Sequence, residues 1–311
     1  MLWGKTCLVI IVTYNGYRYI ERCLQSLYNQ ACQPEILVID NCSSDGTVLL
    51  VQELFPKVKI IQNEINIGFG AANNIGLKIA VQKKSDYVLL LNQDAYLERF
   101  VLDGLIEFSV KNLNFGILSP IHLNGSGTAL DTRFTTYLKS NFTALINDLI
   151  LLAHNNKIYS VDFINAACWL LPLNTIKKVG LFDSIFFHYG EDENYCQRVI
   201  YHKLKIGVVP KLFVAHDRVQ TLYKVFGEKK FDLELRVLKV KLCNVNNHDF
   251  DTKFIAELVK KISRLIVSIS MIRFGDSNYT LRLIFHLFKL RKSMKQSLLR
   301  NRLTFDVHNV S

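Results

Sequence analysis

The stretch Glu35-Ile36-Leu37-Val38-Ile39-Asp40-Asn41-Cys42-Ser43-Ser44-Asp45-Gly46-Thr47 passes from an unbroken apolar run into polar, turn-forming residues. Aliphatic residues in succession mark a strand buried on both faces, as in a parallel sheet. Thr47 to about Phe55 then reads as a helix. Asp40 therefore falls at the carboxyl end of a strand, the edge where open α/β sheets collect ligands. There a carboxylate can bind the hydroxyls of a ribose or the N–H edge of a base. Asp45 or Ser44 can cap the helix, and a plain turn with a cap explains Ser43 to Thr47 equally well.

The same grammar extends on both sides. Cys7–Val12 is another buried strand, followed by Thr13-Tyr14-Asn15 and a segment with Ile20, Cys23, Leu24, Leu27 and Tyr28 at helical spacing. A strand at Val58–Gln62, a helix at Ala71–Val81 and a strand at Tyr87–Leu91 complete a β-α-β-α-β-α-β order. That order implies parallel strands joined by right-handed crossovers. Further on, the pattern gives strands near Gly116–Ser119, Ile158–Phe163 and Cys168–Leu171, a helix over Asp192–His202 and a strand over Ile206–Val214.

Four further polar clusters punctuate these elements. Asn66-Ile67-Gly68-Phe69-Gly70, continuing to Asn73 and Asn74, puts small residues at a helix entry. There backbone can approach phosphate or sugar oxygens, although tight packing would also explain the glycines. Asn92-Gln93-Asp94 ends a buried strand in an acid, which either holds a hard divalent cation or caps the next helix. Gly190-Glu191-Asp192-Glu193 opens a helix with three acids. The helix dipole favours such placement, and a carboxylate there can also act as a general base, with Arg198 available to pair with Glu191 or Asp192. His216-Asp217 ends the last strand, where a histidine is either structural or a metal ligand.

Charge divides the chain of 311 residues. Residues 218–311 hold 19 of the 38 Lys and Arg against 8 of the 27 acids, so the front is neutral and the tail carries the whole net charge of +11. A boundary after Asp217 separates residues 1–217 from a basic, mainly helical extension over 218–311. In it, Ile255, Leu258, Val259, Ile262, Leu265 and Ile266 share one helical face and Lys260, Lys261 and Arg264 another, and Leu281–Arg302 repeats that style. Few aromatics suit base stacking, so nucleic acid is not the expected partner. The tail reads either as a helical subdomain packed on the core or as a surface for anionic lipid. Seven cysteines without a CxxC pair, no signal peptide and no run of ~18 apolar residues suggest a cytoplasmic protein, peripheral at the inner face of the membrane if the tail docks there.

In order and spacing, Val12-Thr13-Tyr14-Asn15, Val38 to Thr47, Asn66 to Gly70, Asn92-Gln93-Asp94 and Gly190-Glu191-Asp192 resemble the family 2 inverting glycosyltransferases of the GT-A fold, especially bacterial rhamnosyltransferase-like members. The resemblance runs from about Leu8 to Asp217. It implies an α/β protein with a Rossmann-like, mostly parallel sheet flanked by helices. It further implies that Thr13, Tyr14, Asn15, Asp40, Asn66, Gly68, Asn73, Asn92 and Gln93 bind a nucleotide-sugar. Asp94 and His216 would hold Mg²⁺ or Mn²⁺, with Asn92 standing where the family's metal motif has its first acid. Asp192 would be the base, Glu191 its neighbour, and Trp169 would lie on the segment that shapes the acceptor pocket or else in the core. The expected activity is transfer of a sugar from dTDP-rhamnose or a UDP-sugar to a glycan or lipid-linked acceptor during bacterial surface polysaccharide assembly. Two rivals are a nucleotidyltransferase, which would carry a Gly-rich basic loop after the first strand, and a noncatalytic membrane- or nucleic-acid-binding protein using the tail.

Overall fold

The computed structural model describes residues 4–138, 141–151, 157–218 and 227–303. A single sheet in the order β3-β2-β1-β4-β8-β6-β9-β5, with β7 also on β9, organises the chain. Its first half is parallel: β1 (Cys7–Thr13) lies between β2 (Glu35–Asp40) and β4 (Tyr87–Asn92), and β3 (Lys59–Gln62) flanks β2. The crossover helices are α1 (Tyr17–Tyr28), α2 (Thr47–Leu54) and α3 (Phe69–Lys83). Strands β1, β2 and β4 are buried on both faces because helices cover both, which is why their sequences run apolar without alternation, whereas β3 is a partly exposed edge strand.

The second half of the sheet is mixed. β8 (Cys168–Pro172) runs antiparallel to both β4 and β6 (Phe115–Asn124), and β9 (Lys205–His216) is parallel to β6. Two three-residue strands, β5 (Ala95–Leu97) and β7 (Tyr159–Val161), pair antiparallel with β9. Helices α4 (Val101–Lys111), α5 (Phe134–Leu138), α6 (Asn141–Ile150), α7 (Leu173–Val179) and α8 (Glu191–Tyr201) fill the connections. Apolar cores lie on each face of the sheet, one around Val9, Leu24 and Leu105, the other around Ile10, Leu77 and Trp169.

A third core joins Phe186 to α9 (Gly227–Leu242), α10 (Phe250–Ser270) and α11 (Phe274–Arg300) through Phe231, Leu238, Phe254, Leu287 and Met294. Asp183 ties the helices down: its buried carboxylate accepts from Ser297 Oγ (2.6 Å), Arg300 (2.7 Å) and Asn301. All seven cysteines are free. Among the described residues, no helix is long and apolar enough to cross a membrane.

Candidate active site

Strand register sets the nucleotide side of the site. Thr13 pairs with Asp40 at the carboxyl ends of β1 and β2, and the Asn41 N–H donates to the Thr13 carbonyl at 2.7 Å. Asp40 is buried; its Oδ2 accepts the Ser43 N–H at 3.0 Å, while its Oδ1 has no partner. A buried carboxylate oxygen left open costs stability unless something donates to it, so this atom is poised for a ligand hydroxyl or N–H. Asn15, in the left-handed region with φ of 48°, laces the two loops together: its N–H donates to Ser43 Oγ and its Oδ1 accepts the Ser44 N–H, both at 2.9 Å. Asp45 serves both loops as well, accepting the N–H groups of Tyr17 (3.0 Å) and Thr47 (3.1 Å). Tyr14 remains half exposed beside them.

Several of the anticipated binding residues also brace the scaffold. Gln93 Oε1 accepts from Thr13 Oγ1 (2.6 Å) and the Tyr14 N–H (3.0 Å), and its amide donates to the Tyr14 carbonyl at 3.3 Å. A Cβ at Gly16 would come within 2.2 Å of the same Oε1, so only glycine leaves room for this clamp. Asn73 is buried and its amide returns to the Phe69 carbonyl one turn back. At Gly68 the Phe187 carbonyl fills the space that a side chain would need. Asn66 Oδ1 accepts from Asn41 Nδ2 (3.0 Å) and from the Gly68 N–H (2.9 Å).

Two residues of these clusters link loops, a role the sequence did not show. Asn41 joins three loops, its Oδ1 accepting from Asn63 Nδ2 and the Ile67 N–H. Asn74 exchanges two hydrogen bonds with the Phe182 backbone, at 2.9 and 2.8 Å, fastening α3 to the segment that leads to α8. A pair of adjacent asparagines in mid-helix, poor helix formers both, was the available signal.

The acid ending β4 does not cap a helix; it runs into β5. Pairing of Ala95 with His216 then sets Asp94 Oδ1 3.5 Å from His216 Nε2, and the Asp217 N–H donates to the Asp94 carbonyl at 2.8 Å. Nearby, Asn92 Oδ1 is buried without a partner. His122 stands edge-on to His216 with ring centres 6.2 Å apart. Its pKa is pushed down to about 3, by burial first and by His216 second, so it is a neutral ring hydrogen-bonded to Ser119 at 2.9 Å. Among the described residues no three His, Cys, Asp or Glu side chains form a metal cage. Asp94 with His216 offers one oxygen and one nitrogen, which suits a cation that takes its remaining ligands from substrate and water.

Glu191 and Asp192 begin α8, which runs away from the edge where β1, β2 and β4 end, because β9 after it starts at the opposite edge. Burial raises both carboxyl pKa values, with Asp192 adding repulsion to Glu191 and Glu193 adding it to Asp192. Glu191 Oε2 is buried and unpartnered, whereas Asp192 is only half-buried and its Oδ1 accepts the Glu193 N–H at 2.8 Å. Arg236 of α9 lies over the Tyr189 ring at 5.0 Å and lowers both acids in part.

Arg198 does not pair with Glu191 or Asp192. The helical repeat carries it inward, where its guanidinium donates to the carbonyls of Leu181 (2.6 Å) and Val179. Trp169 is wholly buried, stacked on Phe182 and tilted against Tyr195, and so offers no surface to an acceptor. Both residues shape the site from behind, by holding the 179–182 segment.

This architecture is that of the GT-A glycosyltransferases. The structure of S. aureus TarS residues 1–349 with UDP-GlcNAc matches over 80% of this chain and 69% of that one, with a TM-score of 0.53 and 20% identity. GalNAc-T7 with UDP, GalNAc and Mn²⁺ matches over 75% and 48%, with a TM-score of 0.54 and 17% identity. In sequence, the profile of Glycosyl transferase family 2 matches residues 8–168, and the chain belongs to that family. The N-acetylglucosaminyl-diphospho-decaprenol L-rhamnosyltransferase of Mycobacterium tuberculosis is 23% identical over 68% of this chain and 76% of its own length. The poly(ribitol-phosphate) beta-N-acetylglucosaminyltransferase TarS of Staphylococcus aureus is 34% identical over 32% of this chain, a stretch that makes up only 18% of TarS. The protein is therefore a glycosyltransferase.

Proposed function

We propose that the chain transfers one sugar, with inversion, from a nucleoside-diphosphate sugar to a hydroxyl of a glycan or lipid-linked acceptor in bacterial surface polysaccharide assembly. Residues 1–217 carry the chemistry and 218–311 form the extension. The observation that supports this most is the convergence of the open Asp40 Oδ1 and the Asp94–His216 pair on one sheet edge. Asp40 binds the base or ribose, with Thr13, Tyr14 and Asn15 forming the wall around it. Asp94 and His216 would hold Mg²⁺ or Mn²⁺, which would supply positive charge against the departing diphosphate. Asn92 contributes a neutral oxygen there, and the Asn66–Gly68 turn borders the sugar pocket.

Asp192 takes the proton of the acceptor hydroxyl as that oxygen bonds to the anomeric carbon and the bond to the diphosphate oxygen breaks. Attack from the face opposite the leaving group inverts the configuration, without a covalent enzyme intermediate. The mycobacterial relative favours a rhamnosyl donor and the TarS likeness keeps UDP-sugars in play. Thermal shift with dTDP, UDP, GDP and their sugars in the presence of Mn²⁺ tests the reading. Stabilisation by one nucleotide, followed by turnover of its sugar, is expected; no shift with any of them would overturn it.

A further inference from the structure

Helix α10 packs Phe250 and Phe254 inward yet leaves much of its aliphatic surface in water. Beside those two rings its packed side also holds charge: buried Glu257 accepts from Lys241 (2.6 Å) and Lys260 (3.1 Å), and Lys261 and Arg264 reach Glu234 of α9. Its outward side is aliphatic. Ile255, Val259, Ile262, Ile266 and Ile269 recur every three or four residues, so they form one stripe, and they are 41 to 62% exposed.

Helix α11 adds a second stripe of exposed Phe274, Leu281, Phe285 and Phe288. The two helices are antiparallel, with Ser268 Oγ 2.9 Å from Ser277 Oγ at one end and Phe288 edge-on to Phe254, ring centres 6.0 Å apart, at the other. Met271 and Ile272 stand exposed at the connecting turn. Exposed apolar side chains in such number on two adjacent helices mark an interaction site.

Charge selects the occupant. The 218–311 segment has 19 basic residues against 8 acidic ones, with exposed Arg273 at the turn between the two helices and exposed Lys289 and Lys292 on α11. A second copy of the chain would bring like charge against like, whereas an anionic bilayer draws the basic residues to its headgroups while the stripe enters the acyl boundary. We infer that the outer face of the α10–α11 hairpin docks on an anionic lipid bilayer, lying in its interface rather than crossing it. This stands whichever sugar the enzyme transfers.

The test is co-sedimentation of the full chain with phosphatidylcholine vesicles, with and without about 30% phosphatidylglycerol. Binding to the anionic vesicles alone is expected, with a loss of roughly ten-fold or more in an Ile262→Glu/Ile266→Glu variant. Phe285→Glu/Phe288→Glu should behave alike, and since all four side chains are exposed, the thermal midpoint of each variant checks that folding is kept. Unchanged binding in both folded variants, or no binding of the parent chain to either vesicle, would overturn the inference. So would a dimer in solution, by light scattering, that the same variants dissociate.

Discussion

The carbonyl of Phe187 occupies the space that a side chain at position 68 would need: a Cβ built on Gly68 would lie 2.0 Å from that oxygen, and the residue's φ is +86°. One contact thus fixes the turn that opens α3 against the loop that delivers Asp192. Gly68→Ala should cost about 1–3 kcal/mol from the left-handed backbone alone, with more from the clash. Transfer should fall further than stability, because both loops must part. Denaturant unfolding and initial rates at a temperature where the variant is folded would check this; wild-type rates would show that the two loops act independently.

Much of this arrangement was legible in the chain, and the illegible parts have physical causes. Strands β1, β2 and β4 announced themselves because burial on both faces demands apolar runs. β5 did not, since three residues, Ala95-Tyr96-Leu97, are too few to show a period, yet this strand is what brings Asp94 to His216. The true partners of Arg198 stayed hidden because charge invites pairing with acids, while a buried guanidinium is equally satisfied by backbone carbonyls. In α10 the periodicity was visible, but it does not say that Phe250 and Phe254 pack inward beside Glu257 while the aliphatic stripe stays exposed.

Asp192→Asn should lower kcat by about 10²–10⁴-fold while leaving donor affinity intact, since only the proton acceptor is removed. In the parent enzyme the acid limb of the pH–rate profile should lie above the usual carboxylate range. The base must be ionised, and burial together with Glu193 raises its pKa. A limb at an ordinary aspartate value would remove Asp192 from the role.

Glu191→Gln separates stability from catalysis. Burial and Asp192 raise the Glu191 pKa, so folding favours its protonated form. That contribution is whole below the pKa of a free glutamate and is lost as pH rises through the raised value. The variant should therefore gain stability relative to the parent above that window and differ little below it. Urea midpoints at acid and alkaline pH would reveal the trend, and a constant offset would contradict it.

Asp94→Asn and His216→Ala should each raise the Mn²⁺ concentration needed for half-maximal transfer by about 10–100-fold, a loss typical when one group of a metal site is altered. The double variant should lose less than the product of the two, because the side chains sit 3.5 Å apart and act on one ion. Metal titrations of activity decide the matter. Full independence of the two effects would mean that the pair does not share a cation.

Asp183→Asn probes how firmly the helical extension is held. Burial alone would raise this carboxyl's pKa, but Ser297, the Ile185 N–H, Arg300 and Asn301 outweigh it and hold it below the usual range. Such a group stabilises the fold fully above its unfolded pKa and loses that contribution as pH falls through the lowered one. The variant should be weaker by about 2–3 kcal/mol near neutrality, the worth of charge-assisted bonds to a buried anion, discounted because Arg300 is largely exposed. The deficit should shrink on acidification, and unfolding followed at neutral and acid pH would measure it. A deficit that does not change with pH would mean that the substituted amide fails by shape, not charge, and that the anion is not what anchors α11.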